Sequence, residues 1–211
     1  MAGAVTRLYL TRHGQTTWNA DGERYCSRTE VPLTDLGRAQ ADRLASLLRE
    51  VPFDAAYHSP MGRARETLAR ILATRDVPSG ADERLREMDY GDWEGLRAAE
   101  LEAAEPAAWA AWRTDSADVP AGQTGETGRQ VWDRVGAFLA DLRANHPGQT
   151  VLVVGHSTLD RILIAGTLEL PLPHYRRLVQ SNTAVSIADL SADDARWVCI
   201  NRTDGLPDAA T

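Results

Sequence analysis

Residues 150–154 of this chain read TVLVV, and Gly155, His156 and Ser157 follow them directly. A continuous run of β-branched and apolar residues is typical of a strand that is buried on both faces of a parallel sheet. On both sides of this run, other strand-like segments alternate with amphipathic helical patterns, which is typical of an α/β protein. The predicted strands are residues 5–10, 54–59, 150–154, 183–190 and 197–200.

The helices are predicted from their N-terminal caps and from apolar residues at helical spacing. Thr34 precedes a helix through residue 49, in which Leu36, Leu44, Leu47 and Leu48 lie mostly on one face, and Pro60 precedes a second helix. Thr127 and Gln130 form a capping box at the start of a third helix. Ser157 with Asp160 is predicted to cap the helix after the central strand. Residues 146–148 read HPG and are expected to end the third of these helices.

These elements predict a three-layer α/β/α sandwich with a mostly parallel central sheet. Residues 96–126 are expected to form a small helical insertion that covers the ligand site. A chain of 211 residues has the size of one domain, so we predict a single domain over residues 1–211. Residues 204–211 are expected to be a disordered tail.

The composition limits the class of function. The net charge of −7 disfavours non-specific binding to nucleic acid, which requires clustered positive charge. All 23 basic residues are arginine, which excludes a Schiff-base lysine and a Walker-type phosphate loop. Cys26 and Cys199 have no zinc or redox spacing. No apolar run is long enough to cross a membrane and residues 1–10 lack a signal-peptide pattern, so we expect a cytoplasmic protein.

Two histidines and two arginines stand where predicted strands end. Arg12 and His13 follow the first strand, Arg63 comes shortly after the second, and His156 follows the central strand. Ligands of parallel sheets bind beyond the carboxyl ends of the strands, and the planar guanidinium pairs well with phosphate oxygens. An imidazole beside two arginines resists protonation. The residues therefore favour a neutral histidine that accepts a phosphoryl group.

Four motifs, in order along the chain, carry a resemblance to a known family. They are Leu10-Thr11-Arg12-His13-Gly14-Gln15-Thr16 with Asn19 and Pro32-Leu33-Thr34-x-x-Gly37, then Ser59-Pro60-x-x-Arg63-Ala64-x-x-Thr67, then Leu85-x-Glu87 with Gly91-Asp92-Trp93-Glu94-Gly95, and finally Val154-Gly155-His156-Ser157. Together they resemble the histidine phosphatase superfamily, the phosphoglycerate mutase-like proteins, from about residue 7 to residue 190. A three-residue string alone is weak evidence, whereas four motifs in the right order are specific.

The resemblance implies a phosphohistidine mechanism. His13 would be the nucleophile, and Glu87 would protonate the leaving oxygen and then activate water. Arg12, Arg63 and His156 would hold the phosphoryl oxygens. Two arginines and a histidine would stand in for magnesium, so neither a metal nor another cofactor is expected.

Other residues are assigned less directly. The resemblance implies substrate-binding roles for Asn19, Gly14, Thr16, Cys26, Ser27, Tyr90 and Ser157. Asp89, Asp92 and Glu94 compete with Glu87 for the proton donor, and Tyr90 fits a core or rim aromatic equally well. Trp109 and Trp112 are interpreted as packing residues rather than as substrate-stacking ones.

The family contains phosphatases and mutases, and the sequence favours a phosphatase. Ala98 stands where mutases have lysine, and residues 113–123 lack the paired arginines that mutases carry. The family's usual glycine is replaced by Ser27 after Cys26, with one extra residue after Asn19, and residues 122–127 read GQTGET instead of the customary Gly-Gly-Glu-Ser, so the substrate stays open. The leading hypothesis is a metal-independent phosphomonoesterase of a small phosphorylated metabolite. The alternatives are a cofactor-dependent phosphoglycerate mutase and a non-catalytic phospho-ligand-binding module. The apolar C-terminal strands could form a homodimer edge or belong to the core.

Overall fold

The computed structural model describes residues 4–205, and this part contains six β-strands and seven α-helices. The strands are β1 (Thr6–Arg12), β2 (Ala55–His58), β3 (Ser79–Ala81), β4 (Thr150–Gly155), β5 (Val185–Leu190) and β6 (Ala195–Arg202). The helices are α1 (Thr17–Ala20), α2 (Asp35–Leu47), α3 (Gly62–Ile71), α4 (Ala98–Ala104), α5 (Pro106–Thr114), α6 (Gly128–Asn145) and α7 (Ser157–Thr167). Short 3-10 helices lie at Glu83–Leu85, Gly91–Trp93 and Leu172–Arg177.

The strands form one sheet in the order β3-β2-β4-β1-β5-β6. The pairs β1–β4, β2–β4 and β2–β3 are parallel, whereas β5 pairs antiparallel with both β1 and β6. Five of the six strands therefore run in the same direction, and β5 alone among the described strands runs against them. The β-branched run that forms β4 lies between β2 and β1, where it is buried on both faces as its sequence predicts.

Each face of the sheet has its own apolar core, because successive strand residues point to opposite sides. Leu8 and Val153 belong to the core on one face, with α6, α7 and the insertion helices α4 and α5. Tyr9 and Leu152 belong to the core on the other face, with α2 and α3. The two cores give helices on both faces, which confirms the predicted three-layer α/β/α architecture with a mostly parallel sheet.

The insertion is helical, as predicted, and it is attached through aromatic side chains. Trp109 and Trp112 on α5 are buried, and both contact the ring of Trp93 edge-on. The interpretation of these two tryptophans as packing residues is confirmed. The capping box of Thr127 and Gln130 is also present at the start of α6.

Three local predictions differ from the structure. Leu36 is 55% exposed and does not share the buried face of Leu44 and Leu48, because the first turn of α2 turns this side chain away from the core. Ser157 does not cap α7: it is the first helical residue, and His156 takes the N-cap position. The short strand β3 was not predicted, since its sequence Ser-Gly-Ala has no apolar alternation. Residues 206–211 of the predicted tail lie outside the described residues.

Candidate active site

The chemistry-bearing residues meet where neighbouring parallel strands end. Arg12 at the end of β1 is in register with Gly155 at the end of β4, and the backbone N–H of His13 donates to the Gly155 carbonyl over 3.2 Å. The end of β2 lies on the other side of β4, and α3 with Arg63 begins just after it. The expected convergence of two histidines and two arginines on one sheet edge is present.

The two imidazoles are buried against each other. The ring centroids of His13 and His156 are 5.1 Å apart, at an interplanar angle of 66°. His13 Nδ1 lies 2.7 Å from the Gly14 carbonyl oxygen, which can only accept, so Nδ1 carries the proton and Nε2 keeps its lone pair. Burial, reinforced by the guanidiniums of Arg63 and Arg12, holds the pKa of His13 well below its usual range. The same burial, with Arg63 next in size, lowers the pKa of His156. Both rings are therefore neutral at pH 7.

The two arginines are anchored by backbone carbonyls at their outer nitrogens. Arg12 Nη1 donates to Gln180 over 3.0 Å, and Arg63 Nη1 donates to Thr29 over 3.1 Å. Within residues 4–205, the buried Nε atoms of Arg12 and Arg63 and both ring nitrogens of His156 have no hydrogen-bond partner. Buried donors without partners are costly, and together they mark a place where an anionic ligand completes the bonding.

A cavity of about 330 Å³ opens over Arg12, His13 and Arg63, whereas His156 is fully buried and is not part of its lining. It is lined by Arg12, His13, Thr16, Asn19, Gly22, Glu23, Arg24, Tyr25, Cys26, Arg63, Glu87, Tyr90, Ala98, Ser157, Thr158 and Arg161. Of the seven residues predicted to bind substrate, Asn19, Thr16, Cys26, Tyr90 and Ser157 line this cavity, and Gly14 and Ser27 do not. The latter two lie in the wall behind it: the Gly14 N–H donates to Thr67, and the Ser27 hydroxyl donates to Glu94 over 2.5 Å.

Glu87 is the buried acid of the cavity. Its carboxylate accepts the N–H groups of Thr158 (3.0 Å), Leu159 (2.9 Å) and its neighbour Met88 (2.8 Å), which fixes it at the start of α7. The Tyr90 hydroxyl lies 2.8 Å from the Thr158 hydroxyl beside it. This arrangement places a carboxyl group in the same cavity as His13, in a position set by three backbone donors.

The three competing acids have other contacts. Glu94 accepts the N–H groups of Ser27 and Thr29, the same loop that supplies carbonyls to Arg63. Asp89 accepts the N–H of Gly91, and Asp92 accepts the hydroxyl of Thr124. None of the three lines the cavity. These contacts assign the three acids to loop structure, and of the four candidate acids Glu87 lines the cavity together with His13.

Several cavity residues were not singled out from the sequence. Glu23 accepts from Arg12 Nη2 over 3.1 Å and from Asn19 Nδ2 over 3.0 Å. Asn182 does not line the cavity, but it donates to the His13 carbonyl over 2.9 Å and so ties the loop before β5 to the backbone of His13. Arg161 on α7 lines the cavity near Thr158. The extra residue after Asn19 was the only sequence signal for Glu23.

Within residues 4–205, no cluster of three or more His, Cys, Asp or Glu side chains is placed to hold a metal ion. The positive groups that face the cavity are arginines, which suit an anion. In the same described range, no helix combines the length and apolar character that a membrane crossing requires.

Residues 8–203 match the model of the histidine phosphatase superfamily (branch 1). The chain belongs to this superfamily. The family indicated by the four motifs is thus confirmed, and the match covers almost all of the chain.

Several proteins that the chain resembles are named as phosphatases. It is 34% identical over 204 residues to a 2-carboxy-D-arabinitol-1-phosphatase from Triticum aestivum, covering 95% of this chain and 41% of that protein. It is 38% identical over 174 residues to an adenosylcobalamin/alpha-ribazole phosphatase from Salmonella typhimurium, covering 81% and 85%. A solved structure of a mycobacterial glucosyl-3-phosphoglycerate phosphatase in complex with VO3 superposes with a TM-score of 0.84 at 31% identity, covering 93% of this chain and 98% of that one. The chain spans less than half the length of the wheat relative, and most of the length of the other two.

Proposed function

We propose that the protein is a metal-independent phosphomonoesterase that hydrolyses a small phosphorylated metabolite through a phosphohistidine at His13. The observation that supports this most directly is the set of unpartnered buried donors on Arg12, Arg63 and His156 around a neutral imidazole. The phosphatase relatives support the same reaction class.

In the first step, His13 Nε2 attacks phosphorus in line with the ester oxygen. The N–P bond forms as the P–O bond to the leaving group breaks, and Glu87 gives its proton to the departing oxygen. Arg12, Arg63 and His156 donate to the three non-bridging oxygens, where negative charge builds up. The products are an alcohol and phosphorylated His13.

In the second step, the Glu87 carboxylate takes a proton from a water molecule that attacks the phosphohistidine. The new P–O bond forms as the N–P bond breaks, which returns Glu87 to its protonated state and His13 to its neutral form. The sum is one ester and one water giving one alcohol and inorganic phosphate. Arginine and histidine donors supply all the charge stabilisation, so no metal is needed.

The first test measures phosphate release from a panel of phosphomonoesters, with and without EDTA. We expect EDTA-resistant release that falls at least about 1,000-fold in His13→Ala, because the nucleophile is lost. A rapid quench at neutral or alkaline pH followed by mass spectrometry should find one phosphoryl group on the peptide that carries His13. His174→Ala is the matched control, since His174 lies on a 3-10 helix and does not line the cavity.

Each other outcome points to a different function. Loss of activity with EDTA contradicts the metal-independent mechanism. Activity that depends on 2,3-bisphosphoglycerate supports the mutase alternative, although Ala98 in the cavity wall offers no positive charge for a second phosphate. Phosphate binding without turnover of any ester supports the binding-module alternative.

Three further expectations stay predictions. They are the single domain over residues 1–211, the cytoplasmic location and the absence of nucleic-acid partners, all of which rest on the sequence. The homodimer is a further prediction, and sedimentation velocity of the purified protein distinguishes a dimer from a monomer.

A further inference from the structure

Asp160 is a buried acid that the proposed mechanism does not use. It lies in the first turn of α7, it is fully buried, and it does not line the cavity. Its Oδ1 accepts the backbone N–H of His156 over 3.2 Å. A Cβ on Gly155 would lie 2.2 Å from the same oxygen, so the carboxyl group packs directly against the backbone at the end of β4. Burial, reinforced by the Glu87 carboxylate, raises the pKa of Asp160 well above its usual range, so the group keeps its proton.

Gln180 connects this carboxyl group to Arg12. Gln180 is 4% exposed, and its Nε2 lies 3.3 Å from Asp160 Oδ2. The buried Oε1 of Gln180 has no hydrogen-bond partner within residues 4–205. A half-turn of the amide group brings Oε1 to the position of Nε2, where it accepts the proton of the neutral carboxyl group. In either orientation one hydrogen bond joins the two side chains, and the backbone carbonyl of Gln180 accepts Arg12 Nη1 over 3.0 Å.

Of the two anchors of the Arg12 guanidinium, the Gln180 carbonyl is the buried one. The other is Glu23, which accepts from Nη2 with a side chain that is 62% exposed. An exposed ion pair is weak, and an arriving phosphate group competes with the Glu23 carboxylate for the same donor. The Gln180 carbonyl is therefore the contact that sets the position of Arg12 when a phosphoryl group is bound.

We propose that Asp160 is a positioning residue, which as a neutral carboxyl group holds the backbone of His156 directly and the guanidinium of Arg12 through Gln180. His156 follows the end of β4 and Arg12 ends β1, so one buried side chain fixes the two strand ends that carry phosphoryl donors. Donors stabilise a transition state when their positions are fixed beforehand, and a displacement of about 1 Å costs up to roughly a hundredfold in rate. The inference rests on the proposed phosphatase function and adds a residue outside the cavity that this function requires.

Two substitutions separate the hydrogen bonds of Asp160 from its charge and volume. Asp160→Asn keeps an oxygen for the His156 N–H and an N–H for Gln180 Oε1, so kcat and KM for p-nitrophenyl phosphate should stay within about threefold of the parent. Asp160→Leu fills a similar volume without hydrogen bonds. In this variant kcat should fall at least about tenfold, and the inhibition constant of orthovanadate, which imitates the transition state, should rise by a similar factor. Equal losses in both variants would mean that a carboxylate charge is required, and unchanged values in Asp160→Leu would mean that no positioning takes place; either result overturns the proposal.

Inhibition by orthovanadate distinguishes positioning from a loss of folded protein. A smaller folded fraction lowers kcat but leaves the inhibition constant unchanged, because only folded molecules turn over substrate. Ile164→Ala is the matched control, since Ile164 is buried on the same helix and takes no part in these hydrogen bonds. It should lower stability and keep the inhibition constant of the parent, at a temperature where circular dichroism shows the variant folded. An equal rise in Ile164→Ala and Asp160→Leu would mean that any disturbance of α7 moves the site, which rejects a specific role of Asp160.

The link through the second side chain is tested by Gln180→Leu. This variant should show part of the effect of Asp160→Leu on kcat and on orthovanadate inhibition. The double variant should be no worse than Asp160→Leu alone, because both substitutions break the same hydrogen bond. Losses that multiply in the double variant would reject the link. If Asp160→Leu does not fold, Gln180→Leu decides by itself: weaker orthovanadate inhibition supports the proposal, and unchanged inhibition contradicts it.

The two proposals can fail separately. Equal turnover of p-nitrophenyl phosphate by the parent and Asp160→Leu rejects the positioning role and leaves the phosphatase function standing. If no ester is turned over, the phosphatase function fails, and calorimetric titration with orthovanadate still decides the positioning role. Equal binding by the parent and Asp160→Asn, with at least about tenfold weaker binding by Asp160→Leu, supports it. Equal binding by all three proteins rejects it.

Discussion

Glu23 is the one acidic side chain besides Glu87 that lines the cavity within residues 4–205. It adopts a left-handed backbone conformation with φ of 51°, and its side chain is 62% exposed. A carboxylate here occupies Arg12 Nη2 and Asn19 Nδ2, two donors that face the phosphoryl site. An arriving phosphate group must displace this carboxylate or lie next to it, and either event costs free energy.

Glu23→Gln should therefore tighten phosphate binding. The side chain is exposed and its ion pair is screened, so we expect a modest effect: inhibition by inorganic phosphate about 3- to 5-fold stronger. Steady-state inhibition assays measure it. Glu50→Gln is the charge-matched control, because Glu50 is exposed and pairs with Arg49 in the turn that follows α2. Weaker inhibition in Glu23→Gln would instead show that Glu23 holds Arg12 in place.

Single residues of the site were predictable to different degrees. His13, Arg12, Arg63 and His156 follow strand ends in fixed motifs, so their meeting could be predicted from the order of the strands. The place of Arg161 in the cavity wall could not be predicted, because it depends on how α7 packs against the neighbouring loops. Which charged groups surround this arginine is visible only when the surrounding side chains have been placed.

At the scale of the secondary-structure elements, the first turn of α2 packs directly against the backbone of the loop that follows His13. A Cβ on Gly37 would lie 2.0 Å from the Gln15 carbonyl oxygen, and one on Gly14 would lie 2.4 Å from the Gly37 carbonyl oxygen. Thr34 also donates its N–H to the Gln15 carbonyl over 2.9 Å. The first turn of α2 thus packs on the loop that follows His13, and only glycine allows this distance.

Gly37→Ala should lower the free energy of unfolding by at least about 2 kcal/mol, since the clash is with backbone atoms that cannot rotate away. Urea denaturation measures the change. Gly136→Ala is the matched control: it lies inside α6, its nearest neighbour is the Trp132 ring at 4.0 Å, and it should raise stability by roughly 0.5–1 kcal/mol. Equal effects of the two substitutions would contradict the close-packing argument.

The cap of α7 shows where local patterns fail. The pair Ser157 and Asp160 has the spacing of a capping box, yet the first amides of this helix are bound by Glu87, about 70 residues earlier in the chain. A carboxylate brought by the tertiary fold outcompetes the local serine. Caps formed within a segment, such as those of α2 and α6, were predicted correctly because no distant group reaches them.

For the whole molecule, the neutral histidine pair makes stability depend on pH. Burial holds the pKa values of His13 and His156 well below the value of about 6.5 expected in the unfolded chain. Below about pH 6.5 the two histidines bind protons in the unfolded state but not in the folded state, so the free energy of unfolding falls as the pH falls. Two such groups contribute about 2.7 kcal/mol per pH unit below pH 6. Burial raises the pKa of Asp160, which keeps its proton in the folded state and opposes about half of this slope.

Urea denaturation at pH 7, 6 and 5 should therefore show a steady loss of stability on acidification. The opposing contribution gives a sharp control: Asp160→Asn removes it, so its unfolding free energy should fall more steeply with decreasing pH than that of the parent. A flat profile between pH 7 and pH 5 would mean that the two imidazoles become protonated in the folded protein.

The position of β1 in the sheet has a consequence for the synthesis of this protein. β1 carries Arg12 and leads into His13, but it is flanked by β4 and β5, which lie about 140 to 180 residues later in the chain. At roughly 5–20 residues per second, a ribosome needs on the order of ten seconds to make the intervening segment. During that time the earliest strand has neither neighbour, and its backbone groups are open to any other strand or to a chaperone. The candidate active site is therefore completed late, when β1 pairs with β4 and β5.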